Sequence, residues 1–407
     1  MPKQQLGLSG AVAIGLASML GAGVFVVFAS AYSYATNFIF VSIGLAALVA
    51  ALNSWSIFQL ARQVDRPGGV YSYSRVYINE TLSFLSGFAF VFGKISSIAA
   101  IAMVFQSYVF PSQRYWPAVL AIVLLASINI LGINRTAGVA TALSLTTITF
   151  FVVLISWAWL TPATPSVTIF DYVSPRPTVP VLMAAGLIFF AFAGYARVAT
   201  LGNEVRNPKR NIPRAIAISL GAVLAIYIAL AAVLLRNLGG ELANTKTPVA
   251  ALERMLTGNS LATPIVAALA CLGSMLALLA GVSRTMATMA EDRELPKFFQ
   301  IRNRFGSPWL AEILIAAGAI GLVAVGEIVW VIGFSSFSVL FYYSIGHLSS
   351  LAQPKSERVM PRFFNFLGIA LCLTLAVSFG WNTLLICLGI LALALLVRAL
   401  WRGRSNR

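Results

Sequence analysis

Two apolar stretches carry small residues where a membrane helix has no need of them. Gly15-Leu16-Ala17-Ser18-Met19-Leu20-Gly21-Ala22-Gly23 lies inside an apolar run from Leu8 to about Ala31, and Phe189-Phe190-Ala191-Phe192-Ala193-Gly194-Tyr195 lies inside another, near 180–203. A helix interrupted there leaves carbonyls free on one half and N–H groups free on the other. The N–H end attracts a carboxylate and the carbonyl end attracts an ammonium. A zwitterionic amino acid presents both groups. Irregular backbone at that depth is tolerated only where it lines a cavity or is buried in protein. Small residues in a span equally permit close helix packing, and these residues leave both readings open.

Ionisable groups at depth are the second kind of chemistry. Lys94 and Arg197 are the basic residues placed well inside apolar runs, and such residues are costly and usually paired. The nearest candidate carboxylates, Glu204, Glu312 and Glu327, sit close to run ends. Arg197 falls in the first turn after Gly194, the positive end of the following half-helix, where a cation is disfavoured. It either snorkels towards the cytoplasm or binds free carbonyls, or one of Arg197 and Lys94 acts as a fixed positive charge that holds the inner gate, takes the place of a coupling cation or meets an anionic substrate. Lys94 can lose its proton when buried and Arg197 cannot readily do so, so only Lys94 is a candidate proton carrier. Catalytic chemistry has no comparable constellation. One histidine (His347), no carboxylate pair in the spans and no HExxH motif argue against an embedded enzyme, a metal site or a cofactor. Cys271, Cys372 and Cys387 lie in apolar runs without CxxC spacing and read as packing residues.

The elements that must position these groups follow from composition. Hydrophobic residues make up 59% of the 407 and charged residues 10%, with a mean hydropathy of +0.88. Soluble chains run near a quarter charged, so lipid is the solvent here. Twelve apolar runs of spanning character occur, near 8–31, 38–61, 83–110, 116–132, 138–160, 180–203, 214–236, 262–290, 308–325, 328–348, 364–379 and 381–401. The last two are separated by the tight turn Ser378-Phe379-Gly380-Trp381-Asn382, so ten or eleven spans are the alternatives. The first run is too long for a signal-peptide core and reads as span one.

The net charge of +16 is carried by short Lys/Arg clusters between runs, which is a topology signal and not a nucleic-acid stripe. Most of the 28 basic residues fall on the side of the N-terminus; Arg114, Arg176, Arg236, Lys246 and Arg254 fall opposite. Both termini are therefore expected in the cytoplasm, in the cell membrane. No stretch has the composition of a separate soluble or signalling domain, which weighs against a non-transporting sensor.

The residues from Phe189 to Ile216, including Gly202-Asn203-Glu204-Val205-Arg206-Asn207-Pro208-Lys209-Arg210-Asn211-Ile212-Pro213-Arg214, resemble a signature of the amino acid–polyamine–organocation superfamily. That signature reads roughly F-x-G-F/Y followed by E-V-x-N-P-x-R-x-I-P-x-A-I. Three further segments resemble the same family in the expected order: Gly21-Ala22-Gly23, Arg66-Pro67-Gly68-Gly69-Val70-Tyr71-Ser72-Tyr73, and Arg284 with Met289-Ala290-Glu291-Asp292-Arg293-Glu294-Leu295-Pro296.

The resemblance implies an all-α polytopic permease of about twelve spans. Its single transmembrane domain would be an inverted five-helix repeat bundle, with residues 1–160 and 180–348 as the repeats, 364–401 as two peripheral helices, and spans one and six broken. It implies transport of a small amino acid, with the carboxylate at the N–H groups of Ala22, Gly23 and Val24 and the ammonium at carbonyls near Met19, Phe190 and Ala193. Phe190 falls at the family's aromatic lid, and Leu278 lines the site. Ala196 stands where cationic-substrate members often have a carboxylate, so a neutral amino acid is the leading expectation; organic amines or acidic amino acids are the alternatives. Thr147 stands at the lysine of some proton-coupled members, and Ser274 and Ser283 are isolated where a sodium site has adjacent hydroxyls. The coupling ion therefore stays open, as does exchange. Without an external cysteine, no disulfide-linked accessory subunit is expected.

Overall fold

The computed structural model describes residues 6–64, 66, 68–132, 137–162, 178–199 and 205–405. Among them the regular structure is helical, apart from one parallel bridge between Leu6 and Val205. Span one is two helices, α1 (Leu8–Met19) and α2 (Gly23–Ala35), and a 3-10 turn over Thr36–Phe38 leads into α3 (Ile39–Ala61). The short α4 (Val70–Tyr77) precedes α5 (Glu80–Val109), α6 (Trp116–Ile130) and α7 (Ala137–Leu160). Span six is α8 (Thr178–Phe192) with α9 (Ala196–Ala199), followed by α10 (Pro208–Leu238) and α11 (Pro248–Thr257). The remainder is α12 (Ala262–Glu291), α13 (Trp309–Val325), α14 (Ile328–Ala352), α15 (Arg362–Val377) and α16 (Trp381–Ser405).

Each of the twelve apolar runs thus contains helix among the described residues. Six helical stretches are long and apolar enough to cross a membrane, and shorter apolar helices make up the other runs. The chain is a polytopic helical membrane protein. Its exposed apolar side chains, such as Val152 and Val153 on α7 and Leu385, Leu396 and Val397 on α16, meet lipid where in water they would be a liability. The turn between α15 and α16 depends on Gly380, whose φ of +88° a side chain would strain.

Two short helices lie in connections that composition alone left unassigned, α4 and α11. The latter explains an acidic residue that periodicity does not. Glu253 on α11 is buried, and its two carboxylate oxygens accept the N–H groups of Ala262 (2.9 Å) and Thr263 (2.8 Å), the first residues of α12. Those donors have no partner within their own helix, so a connection residue caps the following span.

The packing divides the chain into two compact units. One comprises Met1–Ser54, Ile101–Ala118 and Arg135–Ser274; the other comprises Trp55–Ala100, Val119–Asn134 and Met275–Arg407. The core of the first is aromatic, with Phe25, Phe28, Phe151, Phe189, Phe192, Tyr195 and Tyr227 fully buried. In the second, Tyr71, Phe334 and Tyr342 fill the interior beside many serines. Ser74, Ser97, Ser344 and Ser349 satisfy their hydroxyls on carbonyls four residues earlier in the helix, as hydroxyls in apolar helices commonly do.

Candidate functional site

Both glycine-rich stretches are interruptions. α1 stops at Met19, Leu20 donates its N–H back to the Leu16 carbonyl (2.8 Å), and α2 begins at Gly23. In span six the helix stops at Phe192, and Ala193 to Tyr195 form a tight turn before α9. This second interruption is narrow. Long three-residue hydrogen bonds from Ala193 N–H to the Phe190 carbonyl and from Tyr195 N–H to the Phe192 carbonyl, both 3.4 Å, bridge it.

The two interruptions lie against each other within the first unit. A Cβ on Gly23 would stand 2.6 Å from the Cα of Ala191, and a Cβ on Gly194 would overlap the backbone carbonyl of Ser18. Each break therefore fits only because its glycine lets the backbone of the other span approach. The alternatives of packing and of an irregular backbone turn out to be one arrangement.

Tyr227, on α10, ties the breaks together. Its hydroxyl donates toward the carbonyl of Met19 (2.9 Å) and that of Ala191 (3.0 Å). Both carbonyls stand at C-terminal helix ends, where no intrahelical partner is available. The ring is wedged between Phe28 and Phe192, with centroids 5.6 and 4.9 Å away. Tyr108 on α5 supports the next turn of span one by donating to the Phe25 carbonyl at 2.6 Å. Asn53 on α3 donates to the Tyr195 hydroxyl at 3.0 Å, directly after Gly194. Sequence reasoning passed over these three residues. The available signal was a polar group far from any interfacial position in an apolar run.

The structure gathers Met19, Ala22, Gly23, Val24, Phe190 and Ala193 around this junction. Met19, Ala22, Gly23 and Val24 are buried, Phe190 is nearly so, and Ala193 and Ala196 are half-buried. Thr147 is buried in the same unit and donates its hydroxyl to the Leu143 carbonyl of its own helix at 3.0 Å. Arg197 is exposed, and its N–H donates to the Gly194 carbonyl at 3.1 Å. Glu204, considered as its partner, lies outside the described residues.

Lys94 and Leu278 belong to the second unit. Leu278 is half-buried on α12. Lys94 is buried, with Nζ 5.9 Å from the ring centroid of Phe90, and has no ion-pair partner among the described residues. Glu312 is buried and accepts hydroxyls from Ser307 (2.7 Å) and Ser283 (3.3 Å).

The other two family-like segments meet in this second unit. Asp292 accepts from Arg66 and from the Tyr71 hydroxyl (2.9 Å), and Arg75 donates to Glu294 at 2.9 Å. Burial, then the bond to Asp292, drives the Tyr71 phenol above its usual range, so it acts as a neutral donor. Glu294, with a fully buried side chain, also receives Arg398 (2.6 Å) and Arg402 (2.8 Å) from α16. Arg402 and Arg75 further pair with Glu80 at the start of α5, at 2.8 and 3.0 Å. The last helix is thereby fastened to the ends of α5 and α12.

A family model described as "Amino acid permease" matches residues 6–401. An uncharacterized transporter of Mycobacterium tuberculosis is 39% identical over 379 residues, covering 92% of this chain and 86% of the relative. A methylthioribose transporter of Bacillus subtilis is 25% identical over 82% of this chain and 78% of its own length. A branched-chain amino acid permease of the same organism is 23% identical over 100% of this chain and 94% of its own.

Proposed function

Because this chain belongs to the amino acid permease family, a family of transporters and not of enzymes, we propose that it is a secondary transporter moving neutral amino acids by alternating access, with the junction of spans one and six as substrate seat. The coarser statement, a membrane permease for amino acids or related organic cations, follows from the family itself. In the finer reading the N–H groups of Ala22, Gly23 and Val24 receive the carboxylate. Carbonyls of Met19, Phe190 and Ala193 receive the ammonium, with Phe190 as lid and Leu278 as lining. Lys94, Arg197 and Thr147 are the gating or coupling candidates. The domain is read as repeats 1–160 and 180–348 with 364–401 peripheral, in the cell membrane with both termini cytoplasmic on the Lys/Arg bias. No disulfide-linked subunit is invoked.

The observation that carries this reading is the pair of interrupted helices meeting at Gly23–Ala191 and Gly194–Ser18. Helix ends in mid-span offer both partial charges that a zwitterion needs. The side chains at the junction are apolar, and Ala196 offers no carboxylate to a second cationic group. Such a site selects by size, at about 1–3 kcal/mol per methylene.

Uptake of radiolabelled alanine, leucine and methionine into proteoliposomes tests it. Competition is expected among neutral amino acids, with little from arginine, lysine or putrescine. Stronger competition by arginine or putrescine than by any neutral amino acid would overturn the substrate assignment. In the same assay Lys94→Ala and Arg197→Ala are expected to change rate more than expression, and only Lys94→Ala to change the pH profile.

A further inference from the structure

A groove of about 540 Å³ lies between α1, α7 and α10, lined chiefly by Leu8, Val12, Leu16, Leu145, Ile148 and Ile218. Its walls are aliphatic, and Leu145 and Ile218 stay half-exposed on spanning helices. Hydrocarbon is the solvent that such a concavity meets in a membrane.

Its mouth is unlike its walls. Leu8 opens α1, and just before it Leu6 pairs with Val205 and accepts the Arg206 N–H at 2.9 Å. That bridge pins the start of the segment Arg206, Lys209, Arg210 and Arg214 beside the end of the groove. All four basic side chains are exposed, and none has a carboxylate partner among the described residues. Arg210, Arg214 and Ile218 are spaced by four on α10, so one stripe runs from the basic cluster into the groove wall. The free N–H groups at the start of α1 add partial positive charge at the same place.

We propose that this groove seats an acyl chain of an anionic phospholipid whose phosphate lies against Arg210 and Arg214. The apolar walls take the chain, and the basic mouth, which has no carboxylate partner among the described residues, selects the headgroup charge. Neither part depends on which solute the permease carries.

Native mass spectrometry of the full chain, delipidated and then offered equal phosphatidylglycerol and phosphatidylcholine, tests this. Wild type is expected to retain phosphatidylglycerol preferentially by about fivefold or more, the factor that one surface basic residue supplies. Arg210→Gln with Arg214→Gln should bring the two lipids near parity. Ile218→Trp, which fills the groove from an exposed position, should lower retention of both while the protein still elutes as a single folded species. Lys355→Gln, in another connection, should leave the preference intact. Parity in wild type, a preference that survives the double Arg variant, unchanged retention in Ile218→Trp, or an equal loss in Lys355→Gln would each overturn the site.

Discussion

Replacing Tyr227 by Phe removes one oxygen and leaves the ring contacts with Phe28 and Phe192 in place, so it isolates the tie between the two breaks. The hydroxyl has one proton for two carbonyls, at 2.9 and 3.0 Å, and therefore shares it between them. Both acceptors belong to buried helix ends, and the phenylalanine offers nothing in exchange. Leaving a buried carbonyl short costs about 1–3 kcal/mol, which corresponds to roughly 5–150-fold in an equilibrium constant. The purified variant should unfold at lower temperature by intrinsic fluorescence. Its dissociation constant for the best neutral amino acid should rise within that range, because the destabilised ends are those proposed to hold the substrate. Tyr115→Phe, at a half-exposed tyrosine, should behave as wild type in both assays. A Tyr227→Phe protein with unchanged midpoint and unchanged affinity would refute the reasoning, since the carbonyls would then not depend on the hydroxyl.

Gly194→Ala places its methyl group on the Ser18 backbone, so folded, monodisperse protein should be lost, whereas Gly221→Ala, with open space around it, should be tolerated or gain up to about 1 kcal/mol from helix propensity; size-exclusion profiles after extraction distinguish the two. Glu294→Gln strands Arg75, Arg398 and Arg402 around a neutral amide, and should cost about 3–5 kcal/mol as a broken buried pair, read as a lowered unfolding midpoint. Glu80 is held below the usual carboxylate range by the hydrogen bond from Arg402 and the charge of Arg75. Its contribution is therefore complete at neutral pH and is lost as pH falls below about 4.5 through the depressed folded value. Glu80→Gln should flatten that acid limb of the stability profile.

The spans were legible because a 20-residue apolar run has few other readings in a chain of this composition, and the breaks because glycine stands out in mid-run. What could not be read was which groups meet. Tyr227 is one tyrosine between Ile226 and Ile228, and nothing in that context points its hydroxyl at Met19, 208 residues earlier. The same holds for Arg398 and Glu294, separated by 104 residues; the tail arginines read as topology charge, yet they hold a buried carboxylate. The family-like segments also appeared as four separate stretches in order. In the folded chain Gly23 and Ala191 meet in one unit, and Arg66 and Asp292 in the other. Glu253 was missed for another reason: its role is to cap α12 from outside that helix, and periodicity within a helix carries no trace of such a partner.

The close approach at Gly23–Ala191 and Gly194–Ser18 reduces the number of independent joints in the first unit. Two hinges in separate helices would each have their own axis and could open in either order. Here Gly23 at the start of α2 lies against Ala191, and Gly194 before α9 lies against Ser18 near the end of α1, so neither half-helix has room to swing without displacing the other span. The four positions are thus expected to move as one joint. A side chain added at Gly23 or Gly194 should jam the whole joint, and because the nearest facing atoms are backbone, no second substitution at Ala191 or Ser18 should restore the clearance.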